Sequence, residues 1–74
     1  MVEKKDILYT QIGELKRWFD FEYSYKEQKF RRLNTLQLKT DEGTDPYIEL
    51  INLYQEAEIN RRKLQDLENS LNSL

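Results

Sequence analysis

The chain has no cysteine and no histidine among its 74 residues, and only two glycines and one proline. Without cysteine there is neither a disulfide staple nor a thiolate metal site. Without histidine, the one side chain that titrates unperturbed near neutral pH is missing, and with it the usual general base and the commonest transition-metal ligand. A pair of carboxylates remains available for acid–base chemistry. Such a pair must be held in a dry cleft, and a chain this short rarely encloses one. The composition therefore predicts a protein that is not an enzyme and holds no metal or cofactor.

Long apolar runs are missing too. No stretch approaches the roughly 20 apolar residues of a membrane span, and the charged Met1-Val2-Glu3-Lys4-Lys5-Asp6 lacks the apolar segment of a signal peptide. The expected location is the cytoplasm, with no membrane partner. Nor is there an excess of basic charge: 12 Lys and Arg stand against 14 Asp and Glu, a net charge of −2. No overall field draws the chain onto nucleic acid or anionic lipid. A chain of this size buries little core and normally relies on a staple, a metal, very good helix packing or oligomerisation. The first two are excluded, which leaves packing and association.

What the sequence does contain is helical periodicity with one break. That break is Lys39-Thr40-Asp41-Glu42-Gly43-Thr44-Asp45-Pro46. Gly43 suits a left-handed residue beyond a helix end, and Asp45 before Pro46 matches an N-cap with proline at the first helical position. The reading is an all-α single domain over residues 1–74: a helix over about 3–39, a turn over about 40–45 and a helix over about 46–73. Gly13 falls on the polar side of the first helix and is read as tolerated.

In the second helix Leu50, Leu53, Ala57, Asn60, Leu64, Leu67, Leu71 and Leu74 step by three and four, the heptad spacing of a coiled coil. Only Asn60 interrupts that seam, where it can serve as a register device or turn outward. The first helix carries Leu8, Ile12, Leu15, Phe19, Tyr23, Lys26, Phe30 and Leu33, with two successive steps of four from Leu15 through Phe19 to Tyr23. Such a stutter locally straightens a supercoil. The alternation in Phe19-Asp20-Phe21-Glu22-Tyr23-Ser24-Tyr25 has strand character, but the helical spacing runs straight through it.

A short connection folds the two helices back as an antiparallel hairpin whose facing residue numbers sum to roughly 85. This pairs Leu33 with Ile51, Phe30 with Tyr54, Phe19 with Leu64 or Leu67, and Leu15 with Leu71. It also sets Lys26 against Glu58 and Tyr23 against Arg61. The first helix is the longer, so residues before about Gln11, Ile7 and Leu8 among them, should overhang uncovered.

A second apolar stripe follows from the same wheel. Ile7, Trp18, Phe21, Tyr25 and Leu36 lie about 100° around the first helix from the hairpin seam, more apolar width than one neighbour can cover. Ile48 and Ile59 lie off the seam of the second helix. These residues are the candidate protein interface, and the expected assembly is a homodimer in which two hairpins form a four-helix bundle. An accessory nucleic-acid-binding role is the other reading, with Lys26, Lys29, Arg32, Arg61 and Arg62 as contacts among neighbouring aromatics. The acidic residues Asp41, Glu42 and Asp45 fail calcium-loop spacing and read as turn and cap chemistry.

Overall fold

A computed structural model describes residues 3–74; Met1 and Val2, the start of the charged N-terminal stretch, lie outside the described residues. The chain forms α1 (Lys4–Arg17), a π-helical turn (Trp18–Tyr23), α2 (Ser24–Thr35) and α3 (Pro46–Asn72). The first three run on as one arm, and α3 returns antiparallel against both α1 and α2. The fold is an all-α hairpin 51 × 19 × 15 Å in extent. Among the described residues there is no strand, and no helix is long and apolar enough to cross a membrane.

The π-helical turn falls on the stutter. From Leu15 to Tyr23 is eight residues, where two α-helical turns take about 7.2. The excess of most of a residue is what a wider turn with i→i+5 hydrogen bonds takes up. The apolar stripe thus stays on the α3 side at the cost of regular α geometry between Trp18 and Tyr23.

The first arm ends at Thr35 and not near Lys39. Gln37 takes the left-handed conformation at φ 57°, the amide of Leu38 donates to the Leu33 carbonyl at 2.9 Å, and the Gln37 amide donates to the Asn34 carbonyl at 3.1 Å. This is a Schellman closure, usually built on glycine. Gly43 is left-handed as well, at φ 81°, but it serves a separate turn inside the connection. There Thr40 and Thr44 close the loop, through the backbone at 3.0 Å and through their hydroxyls at 2.6 Å. The connection consequently spans residues 36–45 and is ordered by its own hydrogen bonds.

At the start of α3, Asp45 is extended and its Oδ1 accepts from the Tyr47 amide at 2.9 Å, with Pro46 at the first helical position. A capping carboxylate at that end also meets the positive pole of the helix dipole.

The buried core comprises Leu8, Ile12, Leu50, Leu53 and Ala57. It falls into two groups, one at the far end of α1 and one on the first half of α3 near the connection. Between them the first arm presents large rings, and α3 answers with Ala57, which is 0 % exposed. The expected overhang is absent, since Leu8 is only 6 % exposed. An arm that stops at Thr35, after a π-helical turn, sets α1 further back along α3. Facing residue numbers reflect this: Arg31 meets Tyr54 near the connection and Arg61 lies by Tyr23 as expected, but Arg61 also reaches Phe19, and further out Leu15 shares a cleft with Leu67 and not Leu71. The sum drifts from about 85 towards 80, in the direction that an extra residue in the first arm produces.

Candidate interaction surfaces

The centre of the first arm is an aromatic cluster. Trp18 packs edge-on to Phe19 at 4.9 Å between ring centroids, and Tyr23 lies 5.5 Å from Trp18 and 5.8 Å from Phe19. Offset and edge-to-face ring pairs at these separations are favourable beyond their burial. Arg61 reaches over from α3 and sets its guanidinium 5.6 Å from the Phe19 ring centre, a cation–π contact that ties the arms together.

One flank of the hairpin carries a polar network across both arms. Arg31 donates to the Tyr54 hydroxyl from Nε at 3.3 Å and from Nη2 at 3.1 Å, and its Nε lies 3.6 Å from Glu27. The hydrogen bond to the Tyr54 hydroxyl, with the nearby charges, holds the Arg31 pKa above its ordinary value. The Tyr23 hydroxyl is held above its ordinary pKa, first by the neighbouring Glu27 carboxylate and then by desolvation, with Arg61 opposing.

The other flank is a shallow crevice under the connection, about 270 Å³, where Lys26, Lys29, Asp41 and Glu49 meet. Lys29 pairs with Asp41 at 3.5 Å. Lys26 pairs with Glu22 at 2.9 Å along its own helix, which raises its pKa, and not with Glu58 as the simple register suggested. Neighbours one helical turn apart reach each other without any inter-arm geometry, and Glu58 is engaged by Arg61 at 3.8 Å and Arg62 at 3.5 Å. Four of the five basic candidates are thus matched with an acid, and they divide between the two flanks. Arg32 alone among the five has no ion-pair partner among the described residues.

The apolar candidates are distributed unevenly. Phe21 is 71 % exposed, Tyr25 67 %, and Leu36 is exposed one turn beyond Arg32. Trp18 departs from the expected stripe, being half-buried against Phe19 and Tyr23. The π-helical turn brings Trp18 round towards the hairpin seam, away from the Phe21 face. Ile7 is exposed about three turns before Trp18, and Ile48 and Ile59 are exposed on α3, three turns from each other.

Around Tyr25 and Leu36 the structure builds a groove of about 550 Å³, lined by Tyr25, Gln28, Lys29, Arg32, Leu33, Leu36 and Leu38. Leu38 is no candidate on the sequence alone, because a helix reaching about residue 39 contains it. Its position depends on the Schellman closure, and the only signal for that was the clustering of Leu33, Leu36 and Leu38 just before the polar connection. No group of three or more metal-capable side chains occurs among the described residues. Compared with protein-family models, with curated proteins and with solved structures, the chain returns no match.

Proposed function

We propose that this protein is a small non-enzymatic helical adaptor of the cytoplasm that binds protein, its own second copy first, through the exposed aromatic stripe of the first arm. The observation that carries this reading is the exposure of Phe21 and Tyr25 along the first arm and of Leu36 and Leu38 at its end, the last three lining one groove. Large rings bury about 150–250 Å² each, and covering two of them contributes several kcal/mol at about 25 cal/mol per Å². A lone chain with so few buried side chains gains stability of that order only by covering them. Contiguous apolar surface with a basic edge is the composition of an interface core and its rim.

The test is solution mass by light scattering over a concentration series. Mass is expected to rise above 9.1 kDa in the micromolar range, and Phe21→Ala with Tyr25→Ala is expected to return it to one copy while helicity is kept. Trp18 is left intact because its ring packs within the hairpin. A wild-type mass of one copy at every concentration overturns the self-association reading. Binding of a single-stranded oligonucleotide that is lost between low and moderate salt transfers the surface to phosphate, since phosphate contacts weaken steeply with salt and apolar ones do not.

A further inference from the structure

From the π-helical turn through α2 to its C-cap, the exposed positions of the first arm are spaced symmetrically, so the face can pair with itself when reversed. Its outward positions run Phe21, Tyr25, Gln28, Lys29, Arg32 and Leu36, and they mirror about the peptide bond between Gln28 and Lys29. Reflection exchanges Phe21 with Leu36 and Tyr25 with Arg32: an apolar residue with an apolar one, and an aromatic ring with a cation.

We propose that two copies pair antiparallel through this face, on a twofold axis passing between Gln28 and Lys29. Phe21 of each copy enters the groove floored by Leu33, Leu36 and Leu38 of the other, and Arg32 of each lies over the Tyr25 ring of the other. A twofold interface must be self-complementary, and this mirrored stripe is.

Three observations favour a second copy over an unrelated occupant. Arg32 has no ion-pair partner among the described residues, whereas Lys29, which lies beside the axis, directs its ammonium to Asp41 at 3.5 Å. The cation needed by the facing Tyr25 is therefore available, and like charges at the axis are drawn aside. The groove, about 550 Å³, begins where Phe21 of an antiparallel copy arrives. Phe21, Tyr25, Leu36 and Leu38 of two copies offer on the order of 1,000 Å² of buried surface, the threshold of a specific but weak interface. The pairing is thus expected at micromolar concentrations and not at nanomolar ones.

This proposal rests on the self-association reading, and a charge exchange separates the two. Phe21→Glu alone and Leu36→Lys alone are each expected to weaken the dimer at least tenfold in sedimentation equilibrium. The double variant Phe21→Glu with Leu36→Lys is expected to recover most of that loss, because each glutamate then meets a lysine of the other copy. The two positions are 15 residues apart on one arm, roughly 22 Å along the axis, so no recovery arises within a single copy. Circular dichroism below the association range checks that each variant keeps its helix, which both exposed positions allow. A wild-type chain that stays a single copy defeats the reading beneath. A dimer that ignores Phe21→Glu, or a double variant weaker than either single one, overturns the antiparallel geometry alone, the latter being the mark of a parallel pair.

Discussion

The two arms of the hairpin solve the same problem in opposite ways. On α3 the inward positions are Leu50, Leu53 and Ala57, small or medium side chains at heptad spacing that are buried almost completely. The middle and end of the first arm, from Trp18 to Thr35, bury no residue completely despite carrying most of the aromatic mass. The reason is geometric. A narrow seam closes over leucine and alanine, whereas a ring on one side needs a vacancy on the other, and Ala57 supplies only one. Surplus rings then either stack on each other, as Trp18, Phe19 and Tyr23 do, or face outward, as Phe21 and Tyr25 do. The narrow α3 seam closes with Leu8 and Ile12 into the core, and the surplus rings of the first arm become surface, as Ile48 and Ile59 do on the flank of α3.

The comparison is put at greatest risk by truncating one residue from each arm. Leu53→Ala, at a position 3 % exposed, is expected to cost about 2–5 kcal/mol through lost burial and the cavity left behind. Phe21→Ala is expected to change the stability of the single copy by no more than about 0.5 kcal/mol. Urea unfolding below the association range measures both. If the phenylalanine costs as much as the leucine, the ring contributes to the hairpin itself and the division of labour collapses.

Helix ends sharpen the contrast on a smaller scale. Asp45 caps α3 through Oδ1, and Asp45→Ala is expected to cost about 1 kcal/mol. Glu3 begins the first arm without a side-chain cap, so Glu3→Ala should stay within about 0.5 kcal/mol. At the other end of that arm Gln37 sits left-handed where glycine is at ease. Gln37→Gly is expected to raise stability by about 0.5–1 kcal/mol, and the reverse strain in Gly43→Ala to lower it by a similar amount. The same denaturation series ranks all four. A stabilising Glu3→Ala or a destabilising Gln37→Gly would mean that the first arm is held at its ends by contacts other than those described.

These ends also explain what the sequence revealed. The start of α3 is written in two adjacent residues, Asp45 and Pro46, whose chemistry acts locally, and it could be read directly. The hairpin and its antiparallel sense follow from two stripes separated by one polar break, also a local pattern. The end of the first arm lay hidden because glutamine is an unusual residue for the left-handed position, and Gly43 drew the boundary towards itself. Misplacing that end by four residues put Leu38 in a helix and left Leu8 overhanging. The stutter at Leu15, Phe19 and Tyr23 was visible, but a supercoil and a π-helical turn absorb it equally well on paper. The choice between them turns Trp18 inward and leaves Phe21 out, so the composition of the candidate surface depended on a conformational detail that periodicity does not encode. Lys26 shows the same limit: a wheel shows which residues face each other, while the partner taken is the nearest acid, Glu22.

The smallest effect expected concerns pH, and its titrating groups sit on the first arm with α3 charges facing them. Tyr23 titrates above its ordinary 10.0 because the nearby Glu27 carboxylate and desolvation favour the neutral phenol. Its stabilisation is complete below the unfolded pKa and is lost as pH rises through the folded one. Lys26, above its ordinary 10.5 through Glu22, favours the charged form and loses its contribution over the same alkaline window. Both groups therefore weaken the hairpin as pH rises past the ordinary 10.0 of Tyr23 and the ordinary 10.5 of Lys26. Tyr23→Phe is expected to flatten that decline in urea midpoint. The proton is held where the rings crowd, so a decline that Tyr23→Phe does not alter would put the Tyr23 hydroxyl in water and the aromatic cluster out of contact with Glu27.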